Sequence, residues 1–444
     1  MLKKLTARFL SGNFHLKKEV LSSLFYQFFT NVVGLLIVPL TLGYIDKEKY
    51  GIWVTASSLV VWLQNMNFGM GFGMQNKVTE ALANNDTEKA RIYISVVYKY
   101  TLLIGLFIIA VGLSVSYLVN WKTFFNSQLP FHHLRNIALI TFLCFSSYFI
   151  FSNLTPLLTA VKQTSVTKLL GLIMNVAIVL FLYVITQFSS DSITLASIAL
   201  SAPLPLVYIV ATLLFFKKRK ELAPKWSIAS KKYFIELFSI GGKFLLMQLT
   251  TLIIFFTGSL IITQYLGPAE VTPFNIISKY FYFPMFIFTL SLAPLWPAFT
   301  EAFVKKEFNW IHSVIKKLLI LAGLASLVTI GFALAGFYLI PIWSRHTFDI
   351  YQYQYMVWVF VAYTIIMFFS TIVSTFLNAL TILNYQLAIQ TVSAFLFLTC
   401  SIGLIKYAGM GSTAVVMGMG ISMLFYMVCC GIRMKKELKK QLES

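Results

Sequence analysis

The sequence predicts an all-helical integral membrane protein with about twelve transmembrane helices. Three observations support this fold class: a very apolar composition, apolar runs long enough to cross a bilayer, and basic residues gathered in particular loops. Of the 444 residues, 58% are hydrophobic and 11% are charged, and the mean hydropathy is +0.80. An average soluble domain carries about 25% charged residues. The solvent around most of this chain must therefore be the hydrocarbon of a membrane.

Apolar runs of transmembrane length follow one another along the whole chain. One helix needs about 20 apolar residues to cross a hydrocarbon core about 30 Å thick. The runs do not alternate apolar and polar residues, as the strands of a membrane barrel would, so they are predicted to be helices. The predicted spans are 20–42, 51–70, 93–119, 137–160, 168–187, 193–216, 239–265, 272–298, 314–340, 354–377, 385–405 and 411–432. Only Lys162 and Lys168 mark the turn between the fourth and fifth spans.

The placement of the basic residues predicts the orientation of the helices. Most of the 35 Lys and Arg residues lie in the N-terminal segment, the loop after the second span, the central stretch 217–243 and the C-terminal segment. Basic residues that flank a span stay on the cytoplasmic side during insertion. Both termini and the central stretch are therefore predicted to be cytoplasmic. The net charge of +20 is explained by this topology, so no nucleic-acid partner is predicted.

An internal repeat relates the two halves of the chain. An ungapped alignment of the second half with the first places Gln248 on Gln27, Thr251 on Thr30, and the triplet 300–302 on the identical triplet 79–81. Six crossings are an even number, so both halves start on the same side and the pseudo-two-fold axis follows the membrane normal. We predict two six-helix lobes, 1–220 and 221–444, joined by a cytoplasmic hinge loop at about 217–238.

Signals for catalysis or for metal binding are sparse in the sequence. The four Asp residues are scattered over different loops, and His132 and His133 are an adjacent, loop-borne pair. The four Cys residues lack any metal-type spacing with His, and no Gly-rich nucleotide loop precedes a Lys. The outer loop at about 120–136 is too short to be a catalytic domain. We therefore predict a protein that is not an enzyme and that holds no metal or cofactor.

Polar residues inside the spans are the candidate substrate-cavity residues, because burying them in lipid is costly. Lys279 lies roughly 10 Å deep in the eighth span, where it meets an anionic substrate or reaches back to the outer interface. Gln27 and Asn31 share one face of the first span, and Gln248 is the repeat mate of Gln27. These amides line a polar cavity or hold helices together. Lys99, near the cytoplasmic end of the third span, either lines the cavity or reaches the interface.

No Asp or Glu lies near the middle of a predicted span. Glu80 and Glu301 end the second and eighth spans on the predicted cytoplasmic side. They are candidate cytoplasmic gate residues that pair with nearby Lys or Arg, or else solvated helix ends. Export of a cation in exchange for H⁺ or Na⁺ needs a buried carboxylate, so this class of transporter is disfavoured. Because no such carboxylate is found, the residue that would couple transport to an ion gradient is also not identified.

Three segments resemble motifs of a known family. The segment 67–71 with 76–83, the segment 293–302 after Lys279, and the segment 50–53 are similar to sequences in bacterial polysaccharide flippases. These are the Wzx-type O-antigen and capsule exporters of the MOP superfamily, whose architecture is MATE-like. The resemblance covers essentially the whole chain. The chain departs from the family pattern at Asn67, where an Asp is more usual.

The resemblance implies a function, a location and partners. It implies that the chain moves an undecaprenyl-pyrophosphate-linked oligosaccharide from the cytoplasmic to the outer leaflet of the bacterial inner membrane, for lipopolysaccharide or other surface polysaccharide. The implied mechanism is alternating access of two lobes around a cationic cavity, powered by a gradient of H⁺ or Na⁺. Membrane lipids and the lipid-linked oligosaccharide are the expected partners. The alternatives are an ion-coupled MATE-type antiporter of small molecules and a membrane polymerase or acyltransferase.

Overall fold

A computed structural model of the chain describes residues 14–65, 70–189, 191–228, 233–235, 237, 249–292, 295–344, 348–380 and 382–442. This part of the chain contains helices, turns and short connections, without a β-strand. The helices of the first half are α1 (Phe14–Leu42), α2 (Lys47–Asn65), α3 (Met70–Ala83), α4 (Thr87–Leu118), α5 (Trp121–Phe125), α6 (Phe131–Phe151), α7 (Leu154–Ala160), α8 (Thr164–Phe188), α9 (Ile193–Ser201) and α10 (Pro203–Lys218). The helices of the second half are α11 (Leu249–Phe256), α12 (Gly258–Leu266), α13 (Val271–Leu292), α14 (Leu295–Val304), α15 (Phe308–Trp343), α16 (Gln354–Ala379), α17 (Leu383–Ala408) and α18 (Thr413–Leu442).

The predicted all-helical membrane fold is confirmed. Nine helical segments of the described ranges are long and apolar enough to cross a membrane, and the bent pair α11–α12 makes a tenth. The second and eighth predicted spans are also helical, as α2 and α13, but neither is among these ten. The 22 residues of α13 are enough to cross a membrane. Its length is therefore not the reason that it falls outside the ten, and we attribute this to the polar side chains that lower its mean hydropathy.

The turn between the fourth and fifth predicted spans lies where the basic residues indicated. Helix α7 ends at Ala160 and α8 begins at Thr164. Lys162 adopts a left-handed backbone conformation with φ of 62°, which closes the chain reversal between them. Lys168 lies inside α8 rather than in the turn.

The sequence repeat extends to the ends of the helices. Helices α3 and α14 end at equivalent positions of the repeat, Ala83 and Val304, and α4 and α15 begin at equivalent positions, Thr87 and Phe308. The turns between them match as well, since Asn85 and its repeat mate both have a left-handed φ, of 58° and 57°. In each turn one backbone N–H donates at 2.9 Å to a carbonyl near the end of the helix, from position 86 to Ala81 O and from position 307 to Ala302 O. The repeated triplet therefore marks a repeated helix end.

Contacts between residues divide the chain into two compact units. The first unit comprises Met1–Asp46, Leu59–Phe124 and Gln128–Leu245. The second comprises Lys47–Ser58, Phe125–Ser127 and Leu246–Ser444. The first part of α2 thus belongs with the helices of the second half, and the lobe boundary near residue 220 stays a prediction.

In the first unit, the stretch after α10 is fastened to α4. The Arg91 Nε donates to Ala223 O at 2.6 Å, and the Lys225 N–H donates to Ser95 Oγ at 2.9 Å. Leu222 is buried in the same core. The described part of the predicted hinge loop is therefore attached to α4 by two hydrogen bonds and one buried side chain.

In the second unit, the helix pair α11–α12 is bent by 44° at Thr257. Gly258 follows the bend, and a Cβ at this position would lie 2.9 Å from Val415. Small residues are a common cause of sharp kinks, because they leave room for the change of direction. Before the bend, Gln390 Nε2 donates to Thr251 Oγ1 at 2.7 Å and ties α11 to α17.

Candidate functional site

One side of α13 is buried in the second unit, and the opposite side carries polar residues. The buried side chains include Val271, Thr272, Phe274, Ile276, Ile277 and Phe281. Asn275, Ser278 and Lys279 are partly exposed, and Tyr282 is 56% exposed. Their spacing of three or four residues places these four on one side of the helix. We call them the polar face of α13.

The polar face of α13 has few partners within the protein. In the ranges described, Ser278 Oγ, Lys279 Nζ and the Tyr282 hydroxyl make no hydrogen bond or ion pair. The Asn275 Oδ1 accepts a hydrogen bond from the Tyr50 hydroxyl at 2.8 Å, and the amide NH₂ makes none. Unpaired polar groups are costly in hydrocarbon, so this face requires water or a polar ligand.

The extent of the polar face bears on the role of Lys279. Lys279 lies eight residues after Val271, about 12 Å along the helix, and Tyr282 lies nearly a turn further. A lysine that reaches the interface explains one polar side chain, but not a face that continues past it. The cavity-lining role stays a prediction, and the face favours it. Asn275, Ser278 and Tyr282 are not among the candidates predicted from the sequence, although their helical spacing in the eighth span is visible there.

The segment Lys47–Ser58 packs closely against the start of α13. A Cβ on Gly51 would lie 1.7 Å from Pro268 O, so only glycine permits this approach of two backbones. The Thr272 Oγ1 donates to Lys47 O at 2.7 Å. Tyr50 is fully buried. The segment 50–53, recognised in the sequence by resemblance, therefore forms a contact surface for α13.

The candidates in α1 and α4 have different environments. Gln27 and Lys99 are half-buried and make no hydrogen bond in the described part of the chain, and Asn31 has a buried Nδ2 without a partner. One residue before Asn31, Thr30 O accepts from Asn175 Nδ2 at 2.8 Å, which ties α1 to α8. This part of α1 thus serves helix packing. The cavity roles of Gln27, Asn31 and Lys99 stay predictions, and Gln248 lies outside the described residues.

Of the two candidate gate residues, only Glu80 has its side chain among the described residues. Glu80 is exposed and its Oε2 lies 3.2 Å from Lys77 Nζ, three residues away on α3. This ion pair is local to one helix end, as expected for a solvated carboxylate. Glu301 lies in α14, and its side chain is outside the described residues, as is Asn67. The gate role of Glu80 and Glu301 stays a prediction.

Metal-ligand geometry is not found in the described ranges. No group of three or more His, Cys, Asp or Glu side chains converges there. The rings of His132 and His133 lie 4.1 Å apart, centroid to centroid, and belong to neighbours at the start of α6. The four Cys residues are free thiols within helices.

Sequence comparison relates the chain to curated bacterial export proteins. No family model matches it. It is 27% identical over 298 residues to a Salmonella typhi protein described as "Putative O-antigen transporter", with 64% of each chain covered. It is 25% identical over 301 residues to a protein of the same description from Salmonella typhimurium, and 22% identical over 303 residues to a "Putative O-antigen export protein" of Yersinia pseudotuberculosis. The match thus spans about two thirds of the length of these relatives.

Structure comparison identifies the fold over nearly the whole chain. An inward-facing MATE multidrug transporter of the MOP superfamily aligns with a TM-score of 0.73 at 13% identity, over 93% of this chain and 99% of its own. A MOP transporter from Pyrococcus furiosus, described as having a binding pocket of reversed polarity, aligns with a TM-score of 0.62 at 12% identity, over 97% and 96%. The predicted MATE-like fold and the resemblance to polysaccharide exporters are both confirmed. The chain has the fold of the MOP-superfamily MATE transporters and is a sequence relative of curated O-antigen export proteins.

Proposed function

We propose that this protein is a flippase for a polyprenyl-diphosphate-linked oligosaccharide in the bacterial inner membrane. It moves its substrate from the cytoplasmic to the outer leaflet by alternating access of the lobes 1–220 and 221–444, with both termini cytoplasmic. H⁺ or Na⁺ is the proposed coupling ion. Gln27, Asn31, Gln248 and Lys99 add polar lining in this proposal, and Glu80 and Glu301 act at the cytoplasmic gate.

The observation that supports the proposal is the unpaired Lys279 on the polar face of α13. A substrate headgroup with a diphosphate is strongly anionic and needs a cation along a water-accessible path. In the described ranges no carboxylate lies within 4 Å of Lys279 Nζ, so its charge is available to such a headgroup. The curated relatives described as O-antigen exporters supply the class of substrate.

A small-molecule antiporter is the second candidate, because the solved structures with this fold include multidrug MATE transporters. The sequence has no Asp or Glu near the middle of any predicted span, whereas a cation exporter needs a buried carboxylate. We therefore place the antiporter second. A polymerase or acyltransferase is not proposed, since the longest predicted outer loop, at about 120–136, is too short to be a catalytic domain.

The proposal is tested by replacing Lys279 in the chromosome of the source bacterium. Lys279→Ala should abolish surface polysaccharide, while Lys279→Arg, which keeps the positive charge, should retain a large part of it. Lys168→Ala is the matched control, since Lys168 is an exposed lysine within the membrane helix α8. Surface polysaccharide is measured by gel and immunoblot, and the amount of the protein in the inner membrane is measured in parallel.

Two results would contradict the proposal. Normal surface polysaccharide in Lys279→Ala would exclude the cation role. A deletion strain that keeps its polysaccharide but becomes sensitive to cationic drugs would instead support the antiporter.

A further inference from the structure

The strongest further feature is the amide of Asn275, which lies between a buried tyrosine and the polar face of α13. Asn275 precedes Lys279 by four residues, so the two side chains leave the helix on one side, one turn apart. The amide therefore lies on the same partly exposed side of α13 as the cation.

The hydrogen bond from Tyr50 sets the orientation of this amide. The Tyr50 hydroxyl donates to Asn275 Oδ1 at 2.8 Å, and Tyr50 itself is fully buried. Gly51 lies against Pro268 O, and Thr272 donates to Lys47 O, so the backbone around Tyr50 is held on both sides. With its oxygen engaged, the amide presents its NH₂ group as a free donor.

We propose that the Asn275 NH₂ group and the Lys279 ammonium together bind the phosphate oxygens of the carried lipid, and that Tyr50 is the positioning residue for this amide. The inference rests on the proposed function and deepens it. A diphosphate has oxygens enough for both donors, and a hydrogen bond to a charged oxygen is about twice as strong as one between neutral groups. Ser278 lies on the same face and offers a third donor.

The test measures binding of farnesyl diphosphate, a soluble short-chain polyprenyl diphosphate, to the purified chain in neutral detergent by isothermal titration calorimetry. Asn275→Asp is the informative variant, because the carboxylate still accepts from Tyr50 but has no NH₂ and carries a negative charge. It should weaken binding by about tenfold or more while the thermal stability stays near that of the native chain. Tyr50→Phe removes only the hydroxyl and should weaken binding by a smaller factor, of about threefold.

A double-variant cycle separates positioning from packing. If Tyr50 acts through the amide, Tyr50→Phe should cause no further loss of affinity in the Asn275→Asp background. Equal losses of affinity in both backgrounds would overturn the positioning role. Native affinity in Asn275→Asp would overturn the role of the amide.

Controls distinguish this inference from the proposed function. If Lys279→Gln binds farnesyl diphosphate as tightly as the native chain, or the native chain does not bind it, the proposed function itself fails. Loss of binding in Lys279→Gln with native binding in Asn275→Asp overturns only the further inference.

Dihexanoyl phosphatidylglycerol is the comparison ligand. Equal affinity for it would show a site for membrane phospholipid headgroups and overturn the assignment to polyprenyl diphosphates.

Discussion

Helices α2 and α13 occupy the same place in the two halves of the repeat, yet they present opposite chemistry. The repeat mates of Asn275 and Lys279 are Val54 and Ser58, both of which are buried. The Ser58 Oγ donates to the backbone of its own helix, at Thr55 O. At these two positions α2 thus carries an apolar side chain and a hydroxyl that is bonded within its own helix, whereas α13 carries an amide NH₂ and an ammonium without partners in the described ranges. At this pair of helices, the residues that we propose bind the anion therefore lie on the second copy, at positions where the first copy carries Val54 and Ser58.

The same two helices contact each other in a nearly symmetric way at their starts. Gly51 lies against Pro268 O, and Thr272 donates to Lys47 O. Gly51 and Thr272 are repeat mates, and so are Lys47 and Pro268. The two contacts are therefore related by a local pseudo-two-fold axis, as in an isologous interface. Symmetry is kept where the helices hold each other and lost where we propose that substrate binds.

The largest expected effect comes from placing a lysine at Ser58, the repeat mate of Lys279. Ser58→Lys places an ammonium at a buried position and should destabilise the fold by about 3–5 kcal/mol. The reverse exchange, Lys279→Ser, should change stability by about 1 kcal/mol or less, because Lys279 has no ion-pair partner to lose among the described residues. Thermal unfolding in detergent measures both. Equal losses of stability would show that the two sites are equivalent.

Gly51→Ala should have the next largest effect, since the added methyl group overlaps Pro268 O. We expect a loss of about 3 kcal/mol and reduced thermal stability. Gly331→Ala in α15 is the matched control, because its Cβ would meet no atom within 4 Å. The control should be neutral or stabilising by about 0.5–1 kcal/mol. A native melting temperature in Gly51→Ala would contradict the close backbone contact.

Thr272→Val tests the hydrogen bond from Thr272 to Lys47 O, which is the symmetric counterpart of the contact between Gly51 and Pro268. The change keeps the shape of the side chain and removes the hydrogen bond to Lys47 O, so a loss of about 1 kcal/mol is expected. Thr289→Val, on the same helix but bonded to Phe286 O of its own turn, provides the comparison. If both variants lose the same stability, the contact with Lys47 contributes nothing specific.

The smallest effects concern the first helices of the two repeats. Asn175 on α8 donates to a backbone carbonyl of the continuous helix α1. Gln390 on α17 instead donates to the Thr251 hydroxyl in the bent pair α11–α12. Asn175→Leu and Gln390→Met should each cost about 0.6 kcal/mol, the usual value for an interhelical hydrogen bond in a membrane. Hydrogen exchange should then increase in α8 or α17 respectively. An increase in the same helix for both variants would contradict this arrangement.

Whether a site residue could be predicted from the sequence depended on how far along the chain its interactions reach. Lys279 could be found from the sequence, because a charge in an apolar run is visible locally. Asn275, Ser278 and Tyr282 carry a helical periodicity that was equally visible and was missed. The tie from Asn175 to Thr30 could not be found, since it joins α8 to α1 across 145 residues.

The sequence by itself determined the helical membrane class, the order of the helices and the register of the internal repeat. Transfer free energy and helical periodicity are local properties, so apolar runs, helix ends and basic loops can be read without contacts. Only the tertiary structure decided that Lys47–Ser58 packs with the second half, that α11–α12 bends, and that Tyr50 holds the Asn275 amide. That hydrogen bond spans 225 residues, and its formation depends on how distant helices pack.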